Sequence, residues 1–142
     1  MIGIVVATHG LLGQALVDTA IEVVKKHGPL QVMGIVRGDS TSDYENSLRA
    51  AVQEVEHGSG VVILTDMFGG TPSNIGMTLH DVGKVELLTG VNLPMLIKAL
   101  QLSVGHKRLD QVAAELQVAA HRSIAVASKV LAREPVILVE EK

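Results

Sequence analysis

The chain has no cysteine and no tryptophan, and Tyr44 and Phe68 are its only aromatic residues. Without thiols, a disulfide framework and a thiolate metal site are both excluded, which fits a reducing compartment. Two isolated rings make no stacking platform for single-stranded nucleic acid. Cationic charge is also scarce: 12 Lys and Arg stand against 15 Asp and Glu, for a net charge of -3, and no basic stripe appears. Nucleic acid therefore drops out as the leading partner. No uncharged apolar stretch approaches the roughly 18 residues that a membrane helix requires. No basic segment precedes the N-terminal apolar run, so a signal peptide is not expected and a cytoplasmic location is.

What is present is aliphatic. The 142 residues are 47% hydrophobic, enough for one globular unit spanning 1–142 with a filled core. Continuous apolar runs alternate with segments of helical period, the pattern of an open, mostly parallel α/β sheet with helices on both faces. Strands are expected near 2–8, 31–36, 60–65 and 84–89. Leu12, Leu16, Ala20 and Val23 mark one helix stripe; Leu48, Ala51, Val52 and Val55 mark a second. His27-Gly28 and His57-Gly58 read as helix C-terminal signals, and Ser42 with Glu45 as a capping box for the second helix. Pro94 places a helix from about 93 to 102. A longer one follows from about 108, with Leu109, Val112, Ala113, Leu116, Ala120, Ile124, Ala127 and Leu131 on one face. The chain closes on Pro135-Val136-Ile137-Leu138-Val139, an apolar strand too sticky to dangle. Right-handed crossovers leave few sheet orders, and a single reversal of winding gives 2-1-3-4. Ligands in such sheets bind at the carboxyl ends of the strands flanking the reversal. Those ends carry His9 and Asp66.

The stretch Asp66-Met67-Phe68-Gly69-Gly70-Thr71-Pro72-Ser73-Asn74 sets a carboxylate and a glycine turn at the start of a helix. Thr71 suits an N-cap and Pro72 the first helical position, so the amides of Ser73 and Asn74 are expected to point out of the helix end and to cradle an anion. Gly69 and Gly70 permit positive φ and close approach of a bulky ligand. By itself the turn also reads as an ordinary strand-to-helix loop. An acidic residue beside an anion cradle, however, needs a donor partner, and His9 supplies one. A carboxylate accepting from Nδ1–H fixes the tautomer with Nε2 unprotonated, outward and nucleophilic. A reversible phosphohistidine needs that pair, with Thr8, Thr71 and the turn amides as hydrogen-bond donors. His27 and His57 belong to helix ends, and His80, His106 and His121 have no partners at ligand spacing, so neither a metal nor any other cofactor is expected. Phe68 has two readings, a ring packed under the following helix or an apolar anchor for a docking protein on the rim of the site.

Ile2-Gly3-Ile4-Val5-Val6-Ala7-Thr8-His9-Gly10, the Asp66 to Asn74 stretch and Thr89-Gly90-Val91-Asn92-Leu93-Pro94-Met95-Leu96 together resemble the enzyme IIA component of the mannose family of the bacterial phosphoenolpyruvate-dependent sugar phosphotransferase system. The likeness covers roughly residues 1–100. It implies that the histidine at position 9 accepts a phosphoryl group from the histidine-containing phosphocarrier protein and passes it to a histidine of a IIB component, oriented by the aspartate at position 66. It also implies a homodimer in which the last strand, here Val136 to Val139, adds antiparallel to the partner's sheet. No IIB sequence follows, so the IIB partner is expected to be a separate chain, and the membrane to be reached only through permease components. Some members carry a hydroxyl residue after the aspartate; Met67 stands there in this chain, which leaves more to Thr71 and the amides. Two other uses of the same chemistry are the phosphoryl carrier of a dihydroxyacetone kinase, which the Gly-Gly-Thr-Pro turn disfavours, and a regulatory module whose phosphorylation state reports energy status.

Overall fold

Two segments of the chain are buried on both faces, Gly3–His9 up to its last residue and Val61–Thr65 throughout, and they form the centre of the sheet for that reason. The computed structural model describes residues 1–132. In order these are β1 (Gly3–His9), α1 (Leu12–Val23), β2 (Leu30–Ile35), α2 (Thr41–Val55), β3 (Val61–Thr65), α3 (Thr71–Met77), β4 (Val85–Leu88), α4 (Leu93–Ser103), α5 (Leu109–Arg122) and α6 (Ala127–Leu131). The strands pair in parallel in the order β2-β1-β3-β4, as the reversal argument requires. Ala7 lies opposite Thr65, which brings the next turns of both central strands to one edge of the sheet.

Alternate residues of the central strands feed two separate cores. Ile4, Val6, Val62 and Leu64 pack with Val17 of α1, Leu96 and Leu100 of α4, and Val112 and Leu116 of α5. Val5, Ala7, Val61 and Ile63 pack on the other face with Tyr44, Leu48 and Val55 of α2 and Ile75 of α3. All of these side chains are buried.

Several local expectations are corrected. The buried face of α1 is Gly13, Val17 and Ala20; of the expected stripe Ala20 is buried and Leu16 packs against the core, while Leu12 and Val23 are exposed. Gly13 is the cause: a Cβ there would stand 3.0 Å from Thr8 Oγ1 and 3.2 Å from both Val6 and Val32, so the residue without a side chain faces the sheet and lets the helix lie close. Helix α1 also ends at Val23, well before His27-Gly28, and the Gly28 amide instead donates to Ser103 Oγ at 2.8 Å. Helix α2 is capped by Ser40, whose hydroxyl accepts from the Asp43 amide, while Ser42 lies inside the helix. The long final helix is two helices. Ser123 donates to the Ala120 carbonyl at 2.6 Å and accepts from Asn92 Nδ2, which closes the end of α5, and Ile124 and Leu131 are exposed rather than packed. The expected strand at Val136 to Val139 lies outside the described residues.

Candidate functional site

β1 hands its chain to α1 through a turn fixed by one hydroxyl. Thr8 Oγ1 accepts from the Gly13 amide at 2.7 Å, serving as cap for a helix whose own N-cap residue, Leu11, has no polar side chain. The same hydroxyl donates to the His9 carbonyl. The Gly10 amide donates to the Ile35 carbonyl at 2.8 Å, and the backbones there run so close that a Cβ on Gly34 would stand 2.0 Å from the Gly10 carbonyl oxygen. The turn is thereby tied to β2 and α1, and His9 projects from it with its side chain 47% exposed.

Across the sheet edge, Asp66 turns one oxygen to His9 twice. Its Oδ2 accepts from the His9 amide at 3.0 Å and lies 2.9 Å from Nδ1. Burial alone would raise the Asp66 pKa, but the hydrogen bonds from the His9 amide and ring and the charge of His9 outweigh it and hold the carboxyl below its ordinary range. An ionised carboxylate has no proton to give, so in the neutral imidazole Nδ1 carries the hydrogen and Nε2 is the free nitrogen. Nε2 and Cε1 face Gly70: a Cβ there would stand 2.7 Å from Cε1 and 3.3 Å from Nε2. Glycine at position 70 keeps that face of the ring open.

A buried clamp holds the turn after β3. Ser73 Oγ donates to the Met67 carbonyl and accepts from Thr65 Oγ1 at 2.6 Å, which fastens both ends of the loop to the first turn of α3. Gly69 adopts φ 90°, and Gly70, not Thr71, is the N-cap residue. Three expected phosphate contacts are corrected by this arrangement. Thr8 is fully buried with its hydroxyl engaged within the protein, and Ser73, expected to offer its amide, is fully buried as a whole residue, so neither reaches a ligand on His9. The Asn74 amide closes the first turn of α3 on the Gly70 carbonyl at 2.9 Å and does not point out of it. Gly69 is exposed and Gly70 and Thr71 are half-buried, with Gly70 against the His9 ring. The sequence reading passed over the Thr65–Ser73–Met67 clamp; its only signal was a pair of hydroxyl residues bracketing a glycine turn.

Phe68 is 73% exposed, which overturns the packed reading, and it shares the rim with exposed Met67. The third motif has structural work: Asn92 Oδ1 accepts from the Met95 amide at 2.9 Å as the cap of α4, while its Nδ2 reaches Ser123. Among the described residues no cluster of three His, Cys, Asp or Glu could hold a metal, and no helix is long and apolar enough to cross a membrane.

A family model described as PTS system fructose IIA component matches residues 3–117. The chain is 25% identical over 130 residues to the PTS system fructose-specific EIIA component of Bacillus subtilis (strain 168), an alignment spanning 91% of this chain and 88% of that one. It is 27% identical over 114 residues to the PTS system mannose-specific EIIAB component of Escherichia coli (strain K12), spanning 80% of this chain and 35% of the relative. In fold it is similar to the phosphotransferase system component EIIA from Streptococcus agalactiae, with a TM-score of 0.80 at 23% identity over 91% of this chain and 99% of that one.

Proposed function

The chain belongs to the fructose and mannose IIA family of the sugar phosphotransferase system, and from that premise we propose that it is a phosphoryl carrier working through His9. The observation that carries the proposal is the His9–Asp66 pair, with Nδ1 committed at 2.9 Å and Nε2 left free against Gly70. The donor is the phosphohistidine of the histidine-containing phosphocarrier protein and the acceptor a histidine of a separate IIB component. In each step an N–P bond forms as the other breaks in line, and the Nδ1 proton stays between His9 and Asp66 throughout. Little covalent chemistry is asked of the protein beyond positioning and charge stabilisation. The amides of the Gly69 to Thr71 turn supply the latter. Phe68, with Met67, forms the apolar anchor that both carriers meet.

Phosphoryl transfer from the labelled phosphocarrier protein tests this reading. Wild-type protein should take up acid-labile phosphate and His9→Ala none, while the variant keeps its fold. Label persisting on the folded variant would overturn the assignment of His9. Phe68→Ala in the same assay should raise the KM for both carriers; unchanged values would remove its docking role.

The same reading makes the chain one domain and a homodimer. Among the described residues β4 has no neighbouring strand but β3, and beside it lies a cleft of about 580 Å³ lined by Leu87, Leu88, Met95, Ala113 and Ile124. Val136 to Val139 of a second copy would fill it and cover Ile124, which is 76% exposed. Truncation before Pro135 should yield monomer or aggregate in sedimentation, and a stable dimer would refute the exchange.

A further inference from the structure

Two polar side-chain atoms are buried without a hydrogen-bond partner among the described residues: Asp66 Oδ1 and Tyr44 Oη. Both lie at the same end of the sheet. The Tyr44 ring, 5% exposed, belongs to the core that contains Ala7, Ile63 and Ile75. Ala7 precedes His9 by two residues and is paired with Thr65, the neighbour of Asp66, so the core that holds the ring extends to the rung from which both site residues emerge.

The two orphans are complementary. Burial and the negative charge of Asp66 push the Tyr44 phenol up to about 12, so it keeps its proton and is a donor throughout the neutral range. The Asp66 carboxyl is held below its ordinary range and can only accept. A buried donor without an acceptor is costly, and a buried charged acceptor without a donor more so. Tyr44 is also the only tyrosine of the chain, in a core that is otherwise aliphatic.

We propose that Tyr44 is a positioning residue for the site: its hydroxyl donates to Asp66 Oδ1, through a small side-chain rotation or one bridging water, while Oδ2 serves His9. The carboxylate is then held at both oxygens. Oδ2 alone would let the group rotate about its Cβ–Cγ bond and change the angle at which it meets Nδ1. Held from below, Asp66 keeps one orientation, and the imidazole keeps one tautomer with Nε2 outward. The inference about transfer rests on the carrier reading above; the tether itself does not.

Tyr44→Phe tests it, because only the hydroxyl is lost and the ring keeps its packing. Removing a donor from a carboxylate disfavours the charged form, so the Asp66 side-chain carbon should titrate higher in the variant, by roughly half a pH unit or more. His9 should accept phosphoryl several-fold more slowly, and the melting temperature should not rise. An unmoved Asp66 titration, or a higher melting temperature as expected when an idle buried hydroxyl is deleted, overturns the proposal. A double-mutant cycle adds a second readout: on an Asp66→Asn background Tyr44→Phe should slow transfer less than it does in the parent, and additive losses would count against the coupling. If the wild-type protein accepts no phosphoryl at all, the carrier reading fails, while the Asp66 titration still decides the tether.

Discussion

The turns that follow β1 and β3 and the turn that follows β4 are built to the same plan, a strand end emptying into a helix start, yet they treat their polar side chains in opposite ways. After β4, Asn92 is consumed by the scaffold: its oxygen caps α4 on Met95 and its nitrogen reaches the end of α5 at Ser123. After β1 and β3 the scaffold is satisfied by Thr8 and Ser73, both buried, and this frees His9 and Asp66 to face one another at the surface. Each of these two turns is held by a buried hydroxyl, Thr8 as the cap of α1 and Ser73 as a clamp on the loop before α3, which leaves the projecting side chains unspent. Asn92 has no such substitute, and its motif is architectural.

The sharpest way to break this contrast is Gly70→Ala. The added Cβ would meet the His9 ring at 2.7 Å and must displace it. Misplacement on the ångström scale costs about 100-fold in a positioned reaction, so transfer should fall by about that factor while the fold persists. An unchanged rate would show that the ring has room to move without penalty. Asp66→Asn should have a smaller effect on rate, with phosphorylation slowed but still on His9. It also has a pH signature. A carboxyl whose folded pKa lies below its unfolded value of about 3.9 contributes stability that is present above that value and lost as pH falls through the folded one. The melting-temperature gap between wild type and Asp66→Asn should therefore be widest near neutrality and narrow below about pH 4. A gap independent of pH would place the loss elsewhere. The smallest effect is expected on the other side of the comparison: Asn92→Ala removes an N-cap and should cost about 1 kcal/mol of stability with no change in transfer by the folded fraction. A slowed transfer there would erase the distinction between the turns.

Strand order and the meeting of His9 with Asp66 were legible in the sequence because both follow from long apolar runs and one handedness rule. The 2-1-3-4 order and the 2.9 Å contact agree with that reading. Rotational phase and caps were not legible. In α1 the buried face is chosen by Gly13, a residue that adds nothing to a hydrophobic count but admits the helix to the sheet. In α5 a continuous apolar stripe hides a break that only Ser123 and Asn92, far apart in sequence, bring about. Thr8 and Ser73 were visible as hydroxyls beside the site, yet no pattern in the chain says that they point inward. Tyr44 lies in step with Leu48, Ala51 and Val55, which marks a buried face, but its nearness to Asp66 emerges only once α2 is laid under the sheet.

The half-exposure of His9 has a consequence for a relay. A carrier must release its cargo as readily as it takes it, so any affinity the site has for the loaded group subtracts from the drive to the next station. A deep cradle of donors would turn the histidine into a sink. With Thr8, Ser73 and the Asn74 amide turned to internal tasks, and the imidazole half exposed, the loaded form of the proposed carrier would have little beyond the Gly69 to Thr71 turn to gain from. On the carrier reading proposed above, its group-transfer potential would stay near that of an ordinary phosphoimidazole, and the direction of flow would be left to the concentrations of the carriers on either side.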